Sequence, residues 1–311
     1  MTATPLAGRL FEPFLDPIDG VICVSANDTV RAIDERVADS RLRFPLFLDR
    51  DAPISEQLVA SPYAVVSSRF GPFCDNVLGM NWRLPNGMTI RLGERVVKST
   101  TGYDVFRFLL HAPRLHGEPT CFVLRLRPRC DETQTWTLSG TTADLDRAAS
   151  EVATSCWQSW IDSVDLVFQG DGQQLRLGMH GPVNDLVILG SYVEQLASRY
   201  SLRLESRVDE LPADGLPDLV FKTMPDRANV FAMEMSRLQP ARCVVLRPIG
   251  VIHVYLDGVE RPQPMVRELV DRFGDEIERD GGDWSSRWLD RANSSVEAGW
   301  LSIFRREAGI E

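Results

Sequence analysis

The chain has 311 residues, enough for two ordinary domains, and its 44% hydrophobic and 25% charged composition is that of a globular protein. A formal net charge of -10 argues against nucleic acid as the main partner, because phosphate binding needs a basic face. No apolar run is long enough to span a bilayer, and acidic residues and prolines break up the first twenty positions where a secretion signal would need an apolar core.

These features predict a cytoplasmic protein whose cysteines (Cys23, Cys74, Cys121, Cys130, Cys156 and Cys243) are reduced, packed thiols. There is no CxxC pair, and the four histidines fall in no metal motif. Nor is there a nucleophile elbow or a Walker loop. Zinc, serine-hydrolase and NTPase chemistry are therefore poor readings, and no metal site is expected.

In chain order, "GVICVSAN" reads as a strand. "DTVRAIDERVADSR" reads as a helix begun by an Asp cap, with Val30, Ile33 and Val37 on its apolar face. "NVLGMNWRLPNGMTIRLG" reads as a β-hairpin around Pro85-Asn86-Gly87, where Asn-Gly would supply the positive φ angles of a tight turn.

"GERVVKSTTGYDVFRFLL", residues 93–110, runs from a strand through Lys98 and small hydroxyl residues into a helix carrying Val105, Phe108 and Leu109. Such a turn aims backbone N–H groups and a positive charge at one spot, as an anion site would. It is equally compatible with an ordinary joint capped by Thr101 or Asp104. "CFVLRLRP" alternates apolar and basic residues, so one face is buried and the other meets water or a partner.

After "RCDETQTW" the pattern changes. "SVDLVFQG" and "QLRLGMHG" read as strands paired around Asp171-Gly172. A helix over 184–199 follows, then the strands "SLRLES" and "DLVFKTMP" and a helix over about 226–238. "CVVLRPIG", "VIHVYLDG" and a helix over 264–279 complete the series. The order predicts an antiparallel sheet with helices on one face. Trp157 and Trp160, one helical step apart, are expected to share a face. Met224, Met233 and Met235 read as core filling or as a flexible binding surface, and His180 and His253 as packed or solvent-facing strand residues.

The run "GPFCDNVLGMNWRLPNGMTIRLGERVVKSTTGYDVFRFLL…VLRLRP" resembles the second half of the FAD-binding domain of the vanillyl-alcohol oxidase / p-cresol methylhydroxylase superfamily, and most closely the FAD-binding subunit of glycolate oxidase. The resemblance implies an α+β fold in two parts. Residues 1–130 would be a truncated FAD-binding-type domain, and 131–311 a cap domain of antiparallel sheet and helices. It also implies FAD as cofactor, with Gly71, Asp75, Gly79, Lys98, Ser99, Gly102, Tyr103 and Gly117 on the flavin side. Glycines there would let backbone approach the diphosphate. Asp75 and Asp104 could equally cap turns. No residue pair justifies a catalytic base.

Three departures from the family pattern bear on that site. Residues 1–20 are not glycine-rich and "VICVSAN" already matches the strand that closes the glycine-rich subdomain of the relatives, so that subdomain's phosphate loop is expected to be missing. Glu56 and Gln57 stand where the family has a Gly-Gly pair, and a carboxylate about 4 Å from a phosphate charge is repelled by about 4 kcal/mol at an effective dielectric of about 20. His111 and Arg114 replace glycines in the turn that ends at Gly117, and Ser99 replaces the asparagine of the lysine motif.

Two functions follow. One is an FAD-linked oxidoreductase-type subunit acting on a 2-hydroxy acid such as glycolate, with an impaired FAD site. The other is a non-catalytic scaffold from that family that no longer binds FAD. Either would work with glycolate-oxidase-like partner subunits or a second copy of itself. Alternatively, Leu10, Phe11, Phe14 and Leu15 would fold back as an apolar plug and leave a monomer.

Overall fold

The computed structural model describes residues 10–94, 109, 117–129, 132–238, 241–260 and 262–286. Lys98, Ser99, Gly102 and Tyr103, like His111 and Arg114, lie outside these residues.

The first part runs β1 (Phe14–Asp16), β2 (Val21–Ser25), α1 (Val30–Arg36), β3 (Leu42–Arg43), α2 (Ile54–Ala60) and α3 (Ser67–Phe70). Then come β4 (Val77–Arg83), β5 (Thr89–Gly93), β6 (Glu118–Arg125) and β7 (Arg127–Pro128). Five of the strands form an antiparallel sheet in the order β1-β2-β6-β4-β5, and β3 pairs with β7. Alternation in β2 sends Ile22 and Val24 into the main core beside Met80, Trp82 and Phe122, and Val21 and Cys23 to the opposite face.

Local details differ from the sequence reading. Thr29, not Asp28, caps α1, its hydroxyl accepting from the Ala32 amide at 3.1 Å. The Asp28 carboxylate instead accepts from the Ser25 amide and from Arg36. In the loop of the β4–β5 hairpin only Gly87 takes positive φ, and the Leu84 amide reaches the Met88 carbonyl. The turn is thus a three-residue loop closed by a left-handed glycine rather than an Asn-Gly two-residue turn. Of the strand–turn–helix stretch, Leu109 is described; it is helical and fully buried.

The second part runs β8 (Glu132–Ser139), α4 (Thr142–Thr154), β9 (Ile161–Gln169), β10 (Gly172–Gly181), α5 (Val183–Arg199), β11 (Arg203–Val208) and β12 (Leu219–Lys222). It continues with α6 (Ala228–Ser236), β13 (Ala241–Leu246), β14 (Val251–Leu256), α7 (Gln263–Leu269), α8 (Asp275–Arg279) and β15 (Asp283–Ser286). A π-helical turn, Val270–Gly274, joins α7 to α8, so the helix expected over 264–279 is one interrupted element. The eight strands form an antiparallel sheet in the order β11-β8-β10-β9-β13-β14-β12-β15.

Helices cover one face of this sheet and build the largest core, with Leu166, Leu177, Leu189, Phe221, Met235 and Val245 among its members. The other face is also buried, which accounts for the unbroken burial of β14. There Val244, Val251 and Tyr255 pack against Tyr63 of the first part. Trp157 and Trp160 both pack at the edge of this core, beside Tyr192 and His180 respectively. Met235 is core, Met233 packs at its edge and Met224 is exposed.

A strap over residues 209–218 binds the two parts together. Leu211 and Leu216 insert into the first core, and the Gly215 amide donates to the Leu48 carbonyl. Asp214 takes both Arg176 (2.8 and 2.5 Å) and Arg242 (2.9 Å). Burial opposes its charge, but the two arginines hold its carboxyl below the usual range. Removing one partner of a buried ion pair costs about 3–5 kcal/mol. Asp214→Ala is therefore expected to lower stability by about that amount in urea unfolding, and a loss near zero would show that the strap does not tie the parts together.

Candidate functional site

Four of the residues that the resemblance puts on the flavin side are described: Asp75 is exposed, and Gly71, Gly79 and Gly117 each meet atoms of the chain itself. Gly71, at φ +79°, ends α3, and the Asp75 carboxylate stands 3.0 Å from where its Cβ would lie. Gly117, at φ +117°, is backed by the Arg83 carbonyl at 2.1 Å from the same notional position, so glycine is required there by strand packing. Gly79 pairs with Gly93 in the β4–β5 ladder, and the Phe11 ring lies 2.8 Å from its notional Cβ.

Phe11 is firmly held at that place. Its amide donates to Asn81 Oδ1 (3.0 Å), its carbonyl accepts from Asn81 Nδ2 (2.9 Å), and the Arg91 guanidinium lies over its ring at 4.2 Å. Phe14 joins it on this sheet face, whereas Leu10 and Leu15 are 42% and 39% exposed. Of Leu10, Phe11, Phe14 and Leu15, the two phenylalanines are the ones that pack on this sheet face. Gln57 is also turned inward. Its Oε1 accepts from the Leu48 amide (2.7 Å) and its Nε2 donates to the Ala52 carbonyl (2.9 Å), while Glu56 is exposed. Among the described residues of this region, the Phe11 ring lies against Gly79 and the Asp75 carboxylate against Gly71.

The densest polar chemistry lies at the seam between the two parts, and sequence reasoning missed most of it. In β9, Ile161 pairs with Met179 and Ser163 with Gly178, so Asp162 is the extra residue of a β-bulge. Fully buried, its carboxylate receives Arg69 Nη1 at 2.8 Å, His180 Nδ1 at 3.1 Å and Arg43 Nη2 at 3.7 Å. Burial opposes the charge, yet the bond from His180 and the two arginines hold this carboxyl below its ordinary range. Arg69 Nη1 also lies 2.5 Å from both ring nitrogens of His180, so the imidazole is enclosed between this arginine and Asp162.

Nearby, His253 Nε2 lies 3.1 Å from Ser61 Oγ. That hydroxyl donates to the Tyr63 carbonyl (2.9 Å) and accepts from the Tyr63 amide (3.0 Å), so the imidazole is the donor to it. Nδ1 then has no partner, and burial pushes the His253 pKa down to about 4. A serine whose proton is committed to a carbonyl is not an activated nucleophile, and the pair works as a seam contact. Asp165, Ser163 and Tyr255 add buried oxygen atoms without hydrogen-bond partners to the same face, with Arg176 3.9 Å from the Asp165 carboxylate. Among the described residues no cluster of His, Cys, Asp and Glu could hold a metal ion. The isolated strand histidines gave no sign of these partners, because Asp162 and Arg69 come from remote parts of the chain.

Burial raises Asp165 to about 7, an effect strengthened by Asp214 and opposed by Arg176. A carboxyl raised in the fold stabilises the protein fully below its unfolded pKa, and that contribution is lost as pH climbs through the folded value. Asp165→Asn is therefore expected to leave the melting temperature nearly unchanged at pH 4 and to raise it at pH 8. The difference between the two conditions should be on the order of a few kcal/mol. Equal effects at both pH values would refute a buried carboxylic acid here.

No family model matches the chain. It is 24% identical over 200 residues to an uncharacterized FAD-linked oxidoreductase of Mycobacterium tuberculosis, with the same figures in strains CDC 1551 and H37Rv, over 59% of this chain and 43% of the relative. It is 30% identical over 95 residues to the mitochondrial cytochrome-type D-lactate dehydrogenase of Arabidopsis thaliana, over 30% of this chain and 17% of that one. The chain thus spans less than half the length of the curated relatives it matches. Among solved structures, alkyldihydroxyacetonephosphate synthase in two crystal forms has the same fold, with TM-scores of 0.59 and 0.58 at 11% identity, over 96% of this chain and 64% of that one. No described helix is long and apolar enough to cross a membrane. In sequence the chain is thus similar to part of FAD-linked oxidoreductases, and in fold to alkyldihydroxyacetonephosphate synthase.

Proposed function

We propose that the chain is an FAD-linked oxidoreductase-type subunit, resembling the FAD-binding subunit of glycolate oxidase, whose own FAD site is impaired. The observation that carries this reading is the Phe11 ring seated on Gly79 and fixed by Asn81 and Arg91. A 2-hydroxy acid is the substrate class of the assembly it serves, a reading supported by the partial match to an enzyme named for D-lactate. The division into a cofactor-type domain over 1–130 and a cap domain over 131–311 belongs to the same reading. It is supported by the two sheets built from either side of that boundary. The chain works in the cytoplasm, beside glycolate-oxidase-like partner subunits or a second copy of itself.

A non-catalytic scaffold that has lost FAD altogether is the second reading, and the closed seam favours it: its histidines are spent on Asp162 and Ser61. In either case Lys98, Ser99, Gly102 and Tyr103 remain the proposed remnant of the flavin side.

Purification separates the readings. The chain alone is expected to be colourless, and titration with FAD should show weak binding or none. Phe11→Ala should strengthen flavin binding if the ring is what excludes it. FAD retained in stoichiometric amount by the unmodified chain would overturn an impaired site. Activity on glycolate or lactate regained by adding partner subunits would favour the oxidoreductase reading over the scaffold.

A further inference from the structure

One guanidinium serves two buried carboxylates at the seam. Arg176 of β10 stands opposite Asp165 of β9 in the ladder, yet its Nη1 and Nη2 donate to the two oxygens of Asp214 on the strap, at 2.8 and 2.5 Å. The same Nη2 lies 3.9 Å from Asp165 Oδ2, beyond hydrogen-bond reach. Asp165 is fully buried, and neither of its oxygens meets a donor in hydrogen-bonding geometry. Arg176 Nε is likewise buried without an acceptor. The strap thus holds the end of the guanidinium fork, and the Nε edge is left over.

Several elements surround Asp165. Beside Arg176 and Asp214 stand Ser163 on β9, Arg242 on β13, and Tyr255 and His253 on β14. Arg242 Nη1 also holds Asp214 (2.9 Å), but its Nε is given to the exposed Asp257 (3.0 Å). Arg69 on α3 is engaged by Asp162, and Leu246, opposite Asp165 on β13, is apolar. A carboxyl here stays neutral as long as it has no donor of its own, because a second bare charge beside Asp214 would be both desolvated and repelled.

We propose that Arg176 is the moving part of a proton-operated latch: when Asp165 loses its proton, the guanidinium turns its Nε edge to that carboxylate, Asp214 is left to Arg242 alone, and the strap over residues 209–218 loosens from the first part. Both states keep every buried charge paired. With Asp165 neutral, two arginines share Asp214, and with Asp165 ionised each carboxylate has one arginine. Burial raises the Asp165 pKa to about 7, so the exchange falls near neutrality. The strap meets the first part through Leu211, Leu216 and the bond from the Gly215 amide to the Leu48 carbonyl, so a weaker anchor at Asp214 shows first at Gly215. The stability change expected for Asp165→Asn requires no such movement.

Amide hydrogen exchange at Gly215 tests the latch, comparing the unmodified full chain with Asp165→Asn at the same pH so that intrinsic rates cancel. At pH 6 the two should agree. At pH 9 Gly215 should exchange about tenfold faster in the unmodified chain, the loss of about one charge-assisted hydrogen bond, while Asp165→Asn keeps its protection. The Phe11 amide, bonded to Asn81, should be alike in both proteins. If Asp165→Asn folds poorly, the unmodified chain reports the same event by NMR: the Gly215 amide shift should follow the Asp165 carboxyl titration with one midpoint. The proposal fails if Gly215 exchanges alike in both proteins at pH 9, or if Phe11 is accelerated as much as Gly215, which is global destabilisation. It also fails if the Gly215 shift does not follow Asp165.

Discussion

Two buried carboxylates hold this molecule together. Asp162 and Asp214 sit against one face of the eight-stranded sheet, and each is neutralised by arginines that reach it from elsewhere in the chain. Arg43 and Arg69 come from the first part, and the Asp214 strap sends Leu211 and Leu216 into the first core. A buried charge without its partner is far costlier than an exposed one, so these contacts fix how the two parts meet. With that docking set, the seam face is covered by Ser61, Tyr63 and α3, and its histidines become structural.

The same closure governs the face that the family resemblance assigns to flavin. A glycine serves a cofactor when its missing Cβ leaves room for the ligand. At Gly79 that room holds Phe11, and at Gly117 it holds the Arg83 backbone. Both glycines are needed, but by the protein's own packing. Gln57 follows the same logic: its amide satisfies a backbone N–H and a carbonyl of the loop before α2, so a side chain is required where the family pattern has glycine.

Periodicity made the strands and helices legible. The β4–β5 and β9–β10 hairpins follow from alternation interrupted by Pro-Asn-Gly and Gly-Asp-Gly, and the α5 helix from its apolar spacing. The cap of α1 was off by one residue because Thr29 and Asp28 are both good caps and only the geometry chooses. The seam was not legible. Asp162 gains its partners through a β-bulge, and Arg69 meets His180 across 111 positions of sequence. Neither feature has a local signal. Phe11 was visible as an apolar residue near the start, but its pairing with Asn81 spans 70 positions.

The Phe11 amide offers the most direct test of the central claim, that the chain's own ring occupies the flavin face. Its hydrogen bond to Asn81 should make its hydrogen exchange slow, and a large excess of FAD should leave that rate unchanged. Faster exchange at Phe11 on addition of FAD, with protection appearing at Gly79, would mean that the cofactor displaces the ring, and the claim would be wrong.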